Sequence, residues 1–164
     1  MYKVTYCRFS DTDMHRIQRL ALRVCKGSGA RRVPPRAVLL RVLASQGLDL
    51  AETREITGDP SNRERSLIVF YRIASADFDR LPGLQKHLKE SYPSSPKPAL
   101  SSLQHALIGM ALSEAETLAS FPRFLRAVLT TESLKRGSLA RSVAGDTILR
   151  WGDLQGSTRP HDQP

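Results

Sequence analysis

The chain has 164 residues, 40% hydrophobic and only 6% aromatic, enough for one compact domain or two very small ones around a core of Leu, Val, Ile, Ala and Met. Its 25 Lys and Arg outnumber 16 Asp and Glu, a net +9, which favours a polyanionic partner and says nothing about fold. No run approaches the ~18 apolar residues of a membrane helix, no signal-peptide core follows Met1, and Cys7 and Cys25 supply neither a disulfide framework nor metal-ligand spacing. The expectation is a soluble, reduced, cytoplasmic protein with no membrane partner.

Tyr2–Phe9 is β-prone and is followed by Ser10-Asp11, a helix-capping signal. Met14, Ile17, Leu20, Ala21 and Val24 then recur at helical spacing, with Arg16, Arg19 and Arg23 off that stripe, and Lys26-Gly27-Ser28-Gly29 ends the helix. Pro34-Pro35 starts a second helix carrying Val38, Leu39, Val42 and Leu43, with Gly47 expected to cap its end. Thr57-Gly58-Asp59-Pro60-Ser61-Asn62 reads as a linker.

After the linker the order repeats. Ser66–Ile73 is the most strand-like run, Ser75 or Asp77 is the expected cap of a helix with Phe78, Leu81, Leu84 and Leu88, and Ser94-Ser95-Pro96-Lys97-Pro98 separates it from one with Leu100, Leu103, Ala106, Leu107 and Met110. Pro82-Gly83 predicts a kink or break, because a mid-helix proline costs ~3 kcal/mol. Superposition at an offset of 64 makes Arg8/Arg72, Asp13/Asp77 and Arg16/Arg80 identical and keeps chemical type at Tyr6/Phe70, Phe9/Ile73, Met14/Phe78 and Ile17/Leu81. The resulting division is a first repeat over 1–56, a linker at 57–63, a second repeat over 64–112, a helical extension over 113–151 with Phe121–Leu129 and a helix around Leu139, Val143 and Ile148 ending near Trp151, and a disordered tail at 152–164. The extension covers the apolar second repeat, contacts a partner or mediates self-association. Charge is uneven: Met1–Gly47 holds ten Lys/Arg against two Asp/Glu, so the first repeat is expected to dominate affinity for a polyanion.

One strand with two helices leaves a strand edge unpaired and a helical face uncovered. Two copies remedy both by pairing their strands antiparallel and interlocking four helices. The fold expected is therefore mainly α with a short two-stranded antiparallel β-ribbon, in the order β-α-α-β-α-α plus C-terminal helices. A ribbon of this kind fits the major groove of B-DNA.

On Val4–Phe9, Ser10-Asp11, the Met14/Ile17/Leu20/Ala21 stripe and the helix from Pro35, the chain resembles the ribbon-helix-helix family of DNA-binding proteins, in a tandem, single-chain form. The run Glu64-Arg65-Ser66-Leu67-Ile68-Val69 and the helix Ala37–Leu43 before an acidic linker are similar to accessory DNA-binding proteins of conjugative and T-DNA transfer, namely TraY-type relaxosome proteins and the T-DNA overdrive-binding proteins of the virulence C operon. The resemblance implies that alternate outward strand residues read bases and that the start of each repeat's second helix binds a backbone phosphate. Since Phe9 leads into the cap, Thr5, Cys7 and Phe9 face the core; Val4, Tyr6, Arg8, Ile68, Phe70 and Arg72 become the base-reading candidates. Lys3, Arg31, Arg32, Arg36, Ser94, Ser95 and Lys97 are the phosphate candidates. The implied partners are double-stranded DNA and a relaxase or other transfer protein, with the chain a monomeric pseudo-dimer or a higher self-associate.

Plainer readings stand beside these. Arg8 and Arg72 are also what a solvated strand edge carries to discourage aggregation, and Asp13/Arg16 and Asp77/Arg80 have the spacing of i,i+3 surface pairs. Ile68 and Phe70 make a poor polar reader, so the second strand is either covered by the C-terminal segment or reads weakly. Gly27-Ser28-Gly29 lacks a P-loop ending, His15, His87, His105 and His161 form no ligand set, and no catalytic triad or paired carboxylate stands out. No enzyme, metal or cofactor is expected. A transcriptional repressor of the same fold, or an antitoxin-like or adaptor module, is the alternative function.

Overall fold

The computed structural model describes residues 1–56 and 67–133. The expected linker, residues 64–66, the helix around Leu139, Val143 and Ile148, and the tail lie outside the described residues. Met1–Leu129 forms one compact unit, and a second begins at Thr130, of which 130–133 are described and helical. The elements in order are β1 (Tyr2–Phe9), α1 (Asp11–Ser28), α2 (Arg36–Ala51), β2 (Leu67–Ala74), α3 (Ser75–Ser91), α4 (Leu100–Glu116) and α5 (121–133). The chain is mainly helical with one two-stranded antiparallel sheet.

Local chemistry explains most boundaries. Ser10 caps α1 through a capping box: its hydroxyl accepts from the Asp13 N–H at 3.1 Å, and the Asp13 carboxylate accepts from the Ser10 N–H at 3.0 Å. Gly29 ends the helix at φ 63°, the left-handed conformation glycine adopts without a Cβ clash. α2 begins immediately after Pro35.

Three expectations are corrected. Gly47 does not cap α2, which continues to Ala51; it is buried where α2 crosses α4. Neither Ser75 nor Asp77 caps α3, which begins at Ser75 directly after β2, with Ala74 at the cap and the Ser75 N–H donating to the Met1 carbonyl at 3.1 Å. Pro82 does not break α3, which runs through it; Leu81 beside it is wholly buried against Leu48, Leu103 and Leu107, and this packing offsets the lost backbone bond. Of the C-terminal extension, the described part beyond α4 is α5. Its Phe121 and Leu125 pack at Gly27 of α1, where the Arg23 guanidinium lies 3.9 Å from the Phe121 ring centroid.

β1 and β2 pair from Tyr2↔Ala74 to Phe9↔Leu67, with Tyr6 opposite Phe70 near the centre. Those two residues are 64 apart, as are the starts of α1 and α3 and of α2 and α4. Cys7, Phe9, Tyr71 and Ile73 form the buried ribbon face over a core from α1, α2, α4 and α5. Burying a Phe or Ile side chain stabilises by ~1.5–3 kcal/mol. α2 and α4 make the most extensive helix contact.

Several ion pairs tie the halves together, and two of them match in residue type. Arg16 on α1 grips Glu116 at the end of α4 with two bonds, at 3.0 and 2.7 Å, and Arg80 on α3 reaches Glu52, just beyond α2, at 2.6 Å. Arg16/Arg80 and Glu52/Glu116 are each 64 apart, so the same pairing of residue types recurs at that spacing. Asp77 does pair with Arg80 at 3.4 Å. The corresponding i,i+3 contact at Asp13 and Arg16 is displaced by the capping box and by Glu116.

Candidate nucleic-acid interface

Strand alternation puts Tyr2, Val4, Tyr6 and Arg8 on one face of β1, and register aligns them with Ile68, Phe70 and Arg72 of β2. All six base-reading candidates are exposed: Val4 at 67%, Tyr6 at 43%, Ile68 at 50%, Phe70 at 68%, with Arg8 and Arg72 beside them. Val4 pairs with Arg72 and Arg8 with Ile68, so the two guanidinium groups stand at diagonal corners around a central Tyr6–Phe70 aromatic pair, ring centroids 5.9 Å apart. Four residues along a strand is ~13 Å, which spans up to about four base pairs at 3.4 Å each. Among the described residues neither arginine side chain makes an ion pair.

The outward face is held from beneath. Gln104 of α4, 2% exposed, is a buried polar residue in an apolar run: its amide oxygen accepts from the Tyr71 hydroxyl at 2.6 Å, and its Nε2 donates to Thr5 Oγ1 at 3.0 Å. One side chain thus fixes both strands. Burial pushes the Tyr71 hydroxyl well above the usual tyrosine range, so it stays a donor. The Cys7 thiol donates to the Ser101 carbonyl at 3.5 Å. Arg41 of α2 donates from Nε to the Arg72 carbonyl at 3.0 Å and lies over the Tyr2 ring at 4.3 Å.

The phosphate candidates divide. Arg31, Arg32 and Arg36 are exposed in the run entering α2, and Ser94, Ser95 and Lys97 are exposed before α4, where the Ser95 carbonyl accepts from Lys89 Nζ at 2.7 Å. Lys3 lies within β1 and not in a run before a helix. It has the inward parity of Thr5 and Cys7, and its Nζ lies 2.5 Å from Asp79 Oδ1 and 4.8 Å from the Phe78 ring centroid. Gln104 and Arg41 were not anticipated from sequence; a glutamine flanked by Leu103 and Leu107 at helical spacing is the signal for the first, and Arg41 within an apolar helix for the second.

Asp13 joins the capping box to α4, with His105 Nε2 2.9 Å from its Oδ2. Burial raises this carboxyl, but the hydrogen bonds from His105 and Ser10 outweigh it and hold it below the ordinary aspartate value. Among the described residues no three His, Cys, Asp or Glu side chains are placed to hold a metal, and no helix is long and apolar enough to cross a membrane. Comparison with protein-family models, curated proteins and solved structures returns no match.

Proposed function

We propose that the chain is a sequence-preferring double-stranded DNA-binding protein of tandem ribbon-helix-helix type that reads the major groove with the outward face of β1 and β2. The observation that carries this reading is the face itself: one exposed side of an antiparallel ribbon, with two arginines at diagonal corners and a basic run entering α2. Arginine bonds guanine O6 and N7 through two donors, and each such contact is worth about 1–3 kcal/mol of discrimination. Val4 and Ile68 suit thymine methyl groups, and the Tyr6–Phe70 pair suits methyl groups or sugars near the centre of the site. Arg31, Arg32, Arg36 and Lys97 neutralise phosphates on the flanks. Ser94 and Ser95 add hydroxyl donors.

In cellular terms the proposal is an accessory role in conjugative or T-DNA-type DNA transfer, assisting a relaxase. A repressor would make the same contacts, so the identity of the target separates these two roles. A second reading has its own observation: the centre of the face is apolar, with Val4, Tyr6, Ile68 and Phe70 all exposed, as in a protein-docking surface.

A gel-shift series in salt separates DNA from protein recognition. A DNA reader loses orders of magnitude in affinity between about 50 and 200 mM salt. Arg8→Ala abolishes base preference at one position, whereas Arg31→Ala weakens all duplexes alike. Salt-independent binding, or preference intact in Arg8→Ala, refutes the assignment.

A further inference from the structure

The reading face looks almost the same from either direction. The offset of 64 matches Val4 with Ile68, Tyr6 with Phe70 and Arg8 with Arg72, and the register places each of these pairs symmetrically about the Tyr6–Phe70 pairing. At these six positions a half-turn about that pair therefore returns the same chemistry, apart from the Tyr6 hydroxyl and the extra methylene of Ile68. The ribbon alone gives a duplex little means of choosing between two orientations.

The flanking basic runs are unlike. Arg31, Arg32 and Arg36 before α2 correspond at the same offset to Ser95, Pro96 and Leu100 before α4, where Lys97 is the one cation from Ser94 to Leu100. All four cations are exposed. Packing fixes which run adjoins which end of the ribbon. Arg41, five residues beyond Arg36, bonds the Arg72 carbonyl and covers the Tyr2 ring, so the first half of α2 lies at the Tyr2–Arg72 end. On α4 the Ser101 carbonyl meets Cys7, and the His105 ring centroid lies 5.8 Å from that of Phe9, so its first half lies at the Arg8 end. The run from Arg31 to Arg36 therefore leads into the half of α2 that lies at the Tyr2–Arg72 end of the ribbon.

We propose that the chain binds duplex DNA in one fixed orientation, with the Arg31/Arg32/Arg36 shoulder over the half-site read by Arg72 and the weaker Lys97 shoulder over the half-site read by Arg8. This rests on the reading that the outward ribbon face binds DNA.

The test starts from duplexes enriched by the full chain from a pool with a random core. The half-sites are assigned by the guanine whose discrimination is lost in Arg72→Ala and in Arg8→Ala. The enriched duplex is then shortened at one end or the other, and affinity is measured at 50 and 200 mM salt. Each phosphate neutralised multiplies the loss over that interval roughly 3.5-fold. Shortening beyond the Arg72 half-site should reduce the salt loss by about 40-fold, for three phosphates, and shortening at the Arg8 end by about 3.5-fold, for one. In the variant Arg31→Ser/Arg32→Ser/Arg36→Leu, whose replaced side chains are all exposed, shortening at the Arg72 end should cease to matter. Equal effects at the two ends, the larger effect at the Arg8 end, or base preference unchanged in both arginine variants overturns the orientation. If duplexes are still enriched with steep salt dependence, DNA binding survives that result; if none is enriched, both fall.

Discussion

The close approach of α4 to Gly47 tests how the two halves are joined. A Cβ built on Gly47 would lie 2.3 Å from the Leu107 carbonyl oxygen, 2.6 Å from the carbonyl carbon and 3.0 Å from the Leu107 Cβ. The obstacle is backbone, so no side-chain rotation relieves it. Restoring ordinary contact requires α2 and α4 to part by about 1 Å, along an interface that buries Leu39, Leu43, Leu103, Ile108 and Ala111. Overpacking of this kind costs typically 1–3 kcal/mol or more, and alanine's helix propensity returns about 1. The obstacle being backbone, the overpacking cost belongs near ~3 kcal/mol, and less the propensity gain of about 1 Gly47→Ala should lose ~2 kcal/mol in urea denaturation. Gly109→Ala is the matched control: it lies within α4, nothing stands within 4 Å of its Cβ, and the same propensity term should stabilise by up to ~1 kcal/mol. Gly47→Ala as stable as the parent would refute a backbone-to-backbone crossing at this position.

Gln104→Leu restores the residue type of its repeat counterpart Leu40 but leaves the buried Tyr71 hydroxyl without its acceptor, and should cost about 1–3 kcal/mol. Adding Tyr71→Phe should recover much of that loss, as calorimetry of the single and double variants will show. Asp13 has a carboxyl held below its ordinary value in the folded chain, so it contributes stability that is complete above the unfolded carboxylate pKa, about 3.9, and is lost as pH falls through the lower folded value. Unfolding free energy measured from pH 6 down to pH 2 should decline less steeply in Asp13→Asn than in the parent, and an unchanged slope would refute the contribution.

Sequence made the ribbon legible because its physics is local. Alternation along Tyr2–Phe9 sets which side chains point out, Ser10 stands where a helix cap belongs, and Lys26-Gly27-Ser28-Gly29 ends the helix. A spacing of 64 also separates the starts of α1 and α3, the starts of α2 and α4, and the Glu52 and Glu116 partners of Arg80 and Arg16. What escaped was three-dimensional. Gly47 near a helix end looks like a cap in one dimension, and only the approach of Leu107 shows why a Cβ is excluded. Pro82 lowers the propensity of α3, yet burial of Leu81 prevails over it. The choice of α1 as the surface for Phe121 and Leu125 depends on Gly27 leaving room there. That the first half of α2 lies at the Tyr2–Arg72 end follows from helix packing, and charge counted along the chain could not place it.

The most direct measurement uses light. Duplexes enriched by the full chain are resynthesised with 5-bromodeoxyuridine at successive thymine positions, which puts the halogen where the C5 methyl group faces the major groove. Irradiation and peptide mapping then identify the residues in contact. The account predicts cross-links within Tyr2–Phe9 and Leu67–Ala74, concentrated at Tyr6 and Phe70 for the central thymines. Cross-links confined to α1, α3 or α5, with both strands unmodified, would contradict it.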